Sequence, residues 1–234
     1  PRRGRFRRYD RLGREVYSGI VCDNLLSADT LRSRYAGNAF HETRSSSGPA
    51  AGYTYSDTAL PVHARDVPQC VLAVTYYDSY GYPDEKSFVA AGAEVGQSSS
   101  SVQSTDVKGL VTGRRVKVLD GDELTASARS LTTSFYYNAL GEGIQEVGDL
   151  YPKGTANMFR RSTLYRHQGE VSVTKESQTA GTTTTVLRKF GYDAAGRLTA
   201  VRQSLDGGAE MQLEADTWDG VGRQATRTLG AGVQ

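Results

Sequence analysis

Short runs rich in β-branched and aromatic residues alternate along this chain with clusters of Gly, Asp and Pro, and apolar stripes at helical spacing are scarce. The runs Gln69-Cys-Val-Leu-Ala-Val-Thr-Tyr-Tyr77, Gly113-Arg-Arg-Val-Lys-Val-Leu119 and Thr182-Thr-Thr-Thr-Val-Leu-Arg-Lys-Phe190 have strand length and end at turn residues. A helix is predicted only around Ser27 to Tyr35, where Ser27 can cap the first turn and Leu31 and Tyr35 share a face. The pattern therefore predicts an all-β fold.

A repeat organises these runs. Each aromatic followed directly by Asp or Asn has Gly three residues after that polar residue: Tyr9-Asp10 with Gly13, Tyr77-Asp78 with Gly81, Tyr137-Asn138 with Gly141, Tyr192-Asp193 with Gly196, and Trp218-Asp219 with Gly222. Arg14, Arg197 and Arg223 directly follow three of the glycines, and Tyr165 with Gly169 forms a degenerate copy. The last four aromatics, at 137, 165, 192 and 218, are spaced 28, 27 and 26 residues apart, the length of one supersecondary unit. Asp opening a type I turn accepts bonds from the N–H groups that follow, and Gly in the left-handed region closes the hairpin with a bulge. The aromatic and the Arg of one copy are then expected near each other across two strands, the guanidinium on the ring.

Second turns at Asp206-Gly-Gly208, Thr179-Ala-Gly181 and Tyr151-Pro-Lys-Gly154 halve the later units. Each unit is thus read as two strands, and consecutive hairpins side by side extend one sheet by roughly 9–10 Å per repeat. Residues 137–234 carry the regular repeats. Residues 1–136 are read as irregular repeats with insertions, because 68 and 60 residues separate the copies at 9, 77 and 137. A further hairpin is expected from 113–120 through a turn at Asp120-Gly-Asp122-Glu123 to Ser130–Tyr137, and the polar stretch of about 91–107 reads as a loop.

Tyr192-Asp-Ala-Ala-Gly-Arg-Leu198 and Tyr9-Asp-Arg-Leu-Gly-Arg14, followed by alternating apolar residues, resemble the YD-repeat or Rhs-repeat proteins of bacteria, relatives of the teneurins and of insecticidal toxin-complex shells. Val107-Lys-Gly-Leu-Val-Thr-Gly-Arg-Arg-Val-Lys-Val118 with Thr132-Thr-Ser-Phe-Tyr-Tyr137 is also similar to large Bacteroidetes surface proteins with such repeats. The resemblance covers most of the chain and is weakest over 18–68 and 84–106. Glu142, Glu170 and Tyr82 stand where Arg is usual, and Arg166 replaces Asp, so those copies are expected to turn differently or to lack the stacked pair. The resemblance implies consecutive antiparallel hairpins in a twisted, spiralling sheet, part of a shell around a C-terminal toxin or other cargo, in a secreted or cell-surface protein. Its partners would be the flanking repeats and that cargo. The Asp-Pro-x-Gly signature of the family's self-cleaving core does not occur in these 234 residues.

Composition agrees with β structure: 14 Tyr against 6 Phe and 1 Trp, and 26 Gly for turns. The chain starts at Pro1, so a longer parent polypeptide is expected. No apolar run reaches the roughly 18–20 residues of a membrane span. Cys22 and Cys70 form at most one bridge and no zinc motif. The net charge of +2 conceals seven Arg against Asp10 within residues 1–14; basic charge confined to one terminus reads as a solvated strand or a seam, not a nucleic-acid face.

His41, His63 and His167 are scattered. His41-Glu42, His63 and Asp66 near Ser45–Ser47 lack the spacing of a hydrolase elbow or a zinc-binding helix. The acidic tip at 120–123 lacks the ligand spacing of a calcium loop. No enzyme and no cofactor are expected. Ranks of Tyr and Arg on an exposed sheet also suit sugar rings, so a module binding carbohydrate or a surface receptor is the alternative to a structural wall.

Overall fold

The computed structural model describes residues 3–22, 41–45, 52–53, 71–90, 102–119, 129–152 and 157–230. The helix expected at 27–35, the acidic tip at 120–123, and most of the polar stretch at 91–107 lie outside the described residues, as do His63 and Cys70. The described residues are all-β. Thirteen strands are β1 (Arg3–Asp10), β2 (Glu15–Cys22), β3 (His41–Glu42), β4 (Val71–Asp78), β5 (Val107–Lys117), β6 (Ser130–Tyr137), β7 (Gly143–Asp149), β8 (Met158–Tyr165), β9 (Val171–Ala180), β10 (Thr182–Tyr192), β11 (Leu198–Leu205), β12 (Met211–Trp218) and β13 (Gln224–Leu229). Their order in the sheet is β13-β12-β11-β10-β9-β8-β7-β6-β5-β4-β2-β1-β3. Successive hairpins thus lie side by side as the repeat predicts. The pairing of β1 with β3 is parallel, and the other registers are antiparallel. Among the described residues no helix is long and apolar enough to cross a membrane.

The chain divides into two compact units, residues 1–86 with 105–134 and residues 87–104 with 135–234. The first is built on tyrosines. Phe6, Val16, Tyr17, Tyr53, Val74, Tyr76 and Tyr82 form its buried cluster. Tyr17 meets Tyr53 edge-on at 5.6 Å, Tyr53 stacks over Tyr76 at 6.0 Å, and Tyr76 stacks on Tyr82 at 4.2 Å. Arg44 lies 5.2–5.7 Å from the centres of the Tyr53, Tyr76 and Tyr82 rings and donates to the carbonyls of Ser79 and Tyr80. Two of the polar tips are bonded, which offsets the cost of burying a hydroxyl: Tyr53 donates to the Thr75 carbonyl at 2.9 Å, and Tyr82 to the Thr112 carbonyl at 2.8 Å. Burial pushes the phenols of Tyr53 and Tyr76 up to about 12. Gly113 admits the Tyr82 ring, since a Cβ there would sit 2.3 Å from it. Arg8 and Glu42 form an ion pair with side chains 2% and 1% exposed, which fastens β3 to β1.

The second unit has one sheltered and one polar face, as period-2 alternation dictates. Gln145, Val147, Ser162, Leu164 and Val173 are buried, with Leu187 packed on the last two. Gln145 is paired across the ladder with Ser162 and donates to its hydroxyl at 3.0 Å. Its amide also accepts from the Val89 N–H at 3.0 Å and donates to the Val89 carbonyl at 2.7 Å, which pins residues 87–90 against β7. Phe88 packs beside Tyr136 at 5.3 Å. On the other face Arg161 pairs with Glu146 and Glu176, its direct neighbours across the ladder. Every residue of β13 is exposed.

Candidate functional site

The repeated turn is the chain's most regular local structure. In the copy at Tyr192, the Asp193 N–H donates to the Arg197 carbonyl at 3.0 Å, and the Gly196 N–H donates back to the Asp193 carbonyl at 3.1 Å. Asp193 Oδ1 accepts from the N–H groups of Ala195 and Arg197, both at 2.9 Å, and Oδ2 accepts from Arg197 Nε at 2.7 Å. Gly196 takes φ +76°, a conformation open to Gly at low cost, and the ladder shifts register between Gly191 and Tyr192. The same bonds recur at Asp10, Gly13 and Arg14 and at Asp219, Gly222 and Arg223. These bonds hold Asp193 and Asp219 below the usual carboxylate range, the backbone N–H of Arg197 or Arg223 contributing most.

Asn138 closes its turn in the same way, accepting from Leu140 and Glu142 N–H groups at 3.0 Å, with Gly141 at φ +78°. Its side-chain bond runs in the opposite sense: Asn138 Nδ2 donates to Glu142 Oε2 at 2.6 Å. Asp to Asn and Arg to Glu are thus a matched exchange of donor and acceptor. The degenerate copy keeps the backbone bonds, with Arg166 N–H to the Glu170 carbonyl at 2.7 Å and Gly169 at φ +91°.

The copy at Tyr77 turns differently. Asp78 itself has φ +67°, and its carboxylate accepts from the Gly109 N–H at 2.7 Å and from both terminal nitrogens of Arg14, with the Nη1 bond at 2.8 Å. Arg14 holds Asp78 below the usual carboxylate range, and Arg14 is itself raised. Tyr82, standing in the Arg position, leaves the turn for the tyrosine stack; Gly81 N–H bonds Glu85 at 2.6 Å.

The stacked pairs connect different copies. Arg14 lies 4.4 Å above the Tyr77 ring, Arg166 is 5.3 Å from Tyr192, and Arg197 is 5.4 Å from Trp218. This corrects the expected pairing within one copy: Arg14 and Arg197 are engaged by their own turn's Asp, Arg166 stands in the Asp position of its turn, and the plane of each is left for the ring arriving from the next hairpin. That ring also carries a polar tip. Tyr77 donates to the Glu15 carbonyl at 3.3 Å, Tyr165 to Gly143 at 3.0 Å, Tyr192 to Val171 at 2.9 Å, and Trp218 Nε1 to Leu198 at 2.9 Å. In each case the acceptor is the second residue after the preceding copy's turn Gly. These four aromatics are therefore clamps, each onto the hairpin before it. The chain's six Phe never occupy this position, a visible signal of the need for a polar tip.

Tyr9 is 40% exposed and heads the first copy. Tyr137, partly buried, lines a shallow groove of about 160 Å³ with Phe135, Gly143, Glu146, Arg161 and Thr163. Exposed His41 pairs with Tyr9 in the ladder, Glu42 is engaged by Arg8, and His167 is an exposed turn residue. Among the described residues no three His, Cys, Asp or Glu converge as a metal site.

Fold and site together define an antiparallel array of hairpins in which the turns at Asp10, Asn138, Asp193 and Asp219 are braced internally and Tyr77, Tyr165, Tyr192 and Trp218 each grip the hairpin before them. No protein-family model matches this chain, and no curated protein matches it.

Proposed function

We propose that this chain is a structural segment of a large bacterial YD-repeat protein of the Rhs type, secreted or displayed at the cell surface. In this role the hairpin array forms part of a β-wall that encloses or presents a C-terminal effector of the same polypeptide. The inter-hairpin clamp supports this reading: the polar and aromatic groups of the motif are spent on joining one hairpin to the next. The role is non-catalytic and needs no cofactor. Limited proteolysis of the parent polypeptide tests it. The segment following the repeats is expected to resist digestion in the intact protein and to become sensitive when Gly196→Val opens a hairpin. Equal sensitivity in both would overturn the reading.

The groove beside Phe135 and Tyr137 favours a second reading, because aromatic rings next to the Glu146–Arg161 pair are groups that hold sugar rings and their hydroxyls. Binding on a glycan array that is lost with Tyr137→Ala and Arg161→Ala, but kept with Gly196→Ala, is the outcome that reading expects. No binding by the parent chain would remove it.

A further inference from the structure

In four hairpins the motif aromatic faces a side chain across the ladder, supplied by the second residue after the turn Gly: Tyr9 pairs with Glu15, Tyr165 with Val171, Tyr192 with Leu198 and Trp218 with Gln224. In the copy headed by Tyr137 the residue at that place is Gly143. Its backbone is not in the left-handed region, and a Cβ built on it would meet only the Tyr137 ring, at an ordinary 4.0 Å. The bond from Tyr165 uses the Gly143 carbonyl, so the clamp is indifferent to the side chain at 143. A strand position with room for a side chain is better filled by a β-branched residue than by glycine. Neither turn, clamp nor packing therefore calls for Gly143. What its missing side chain does is open the groove of about 160 Å³ that it lines with Phe135, Tyr137, Glu146, Arg161 and Thr163.

On the sugar-holding reading of this groove, on which the inference rests, we propose that the space over Gly143 is a subsite for one neutral pyranose residue of a glycan. The apolar face of the sugar ring lies on Tyr137, where Val171 or Leu198 would stand in a later copy. Size and charge select this ligand. The groove is smaller than the roughly 300–1,000 Å³ of a pocket for a drug-sized molecule, and so has room for a single ring. Arg161 is shared between Glu146 at 3.4 Å and Glu176 at 3.0 Å, so its charge is already met by two carboxylates and an acidic sugar finds no unpaired cation in it. The long Arg161–Glu146 contact leaves a donor and an acceptor side by side, the pair that two adjacent sugar hydroxyls bond together. Gly143 is thus the residue that decides which copy of the repeat binds.

The test follows the Gly143 and Thr163 amides of the full chain by NMR while short cello-, manno- and galacto-oligosaccharides are added, with oligogalacturonate as the acidic counterpart. Saturable shifts at both amides are expected with at least one neutral probe, and weaker binding of the acidic one. Gly143→Val is expected to weaken that binding by about tenfold or more while the urea midpoint stays or rises, and Gly143→Ala to give a smaller loss. Binding of a neutral probe that moves other amides instead, or that survives Gly143→Val unchanged, leaves the sugar-holding role standing and overturns this assignment. Tighter binding of oligogalacturonate at the same amides overturns the neutral class. No binding of any probe overturns both the role and the assignment. Loss of the fold in Gly143→Val marks the glycine as structural and also overturns the proposal.

Discussion

Asp193 works through both carboxylate oxygens, one on two backbone N–H groups and the other on Arg197, and Asn138 shows what happens when the acceptor becomes an amide. In an Asp193→Asn variant the Nδ2 group faces the Arg197 Nε, donor against donor, and that one of the three bonds is lost. Amide exchange at Ala195 and Arg197 is expected to accelerate several-fold. Adding Arg197→Glu recreates the Asn138–Glu142 pair and is expected to recover part of the loss, the remainder being the Trp218 stack that Glu cannot make. No recovery would mean that the exchange at 138 and 142 is unrelated to turn bonding. The pH dependence follows from the same bonds. Asp78, Asp193 and Asp219 are depressed in the folded chain, so their stabilisation is fully present above the unfolded carboxylate value of about 3.9 and is lost as the pH falls through the lower folded values. Urea midpoints are therefore expected to be insensitive to these groups from about pH 5 to 7 and to fall below about pH 4.

Each hairpin depends on a turn Gly and on the aromatic that follows. Gly196 at φ +76° is strained for any β-branched residue, and Gly196→Val is expected to cost about 1–3 kcal/mol in urea unfolding. Tyr192→Phe keeps the ring near Arg166 but removes the bond to the Val171 carbonyl, for a loss of about 0.5–1.5 kcal/mol. Gly113→Ala drives a Cβ into the Tyr82 ring, whose hydroxyl is tethered to Thr112 and Ser134, so a loss of about 1–3 kcal/mol is expected. The turns were legible because Asp, Gly and their three-residue interval are local chemistry, and strands β4, β5 and β10 were legible from their apolar runs. The partner of each Arg was not, since it depends on which ring the next hairpin brings across the ladder. Spacing alone also hid the tyrosine stack, whose members at 17, 53, 76 and 82 follow no period, and the fate of Tyr82, which local pattern places in a turn and packing places in the core.

Between β6 and β13 the chain is a row of hairpins in which each touches its neighbours in the strand order, so stability there is expected to be nearly a sum of hairpin and junction contributions. The first unit is different, with the tyrosine cluster and a buried ion pair binding together strands distant in sequence. A local loss in the regular repeats should then stay local. Trp218→Ala removes both the stack on Arg197 and the bond to the Leu198 carbonyl, the whole side-chain clamp between the last two hairpins. The most direct measurement is native-state hydrogen exchange of this variant against the parent chain. Faster exchange across β11, β12 and β13, with β1, β2 and β4 unchanged, is the result expected of hairpins held by neighbour-to-neighbour clamps. Uniform acceleration of every strand, or no change at β11 to β13, would contradict it.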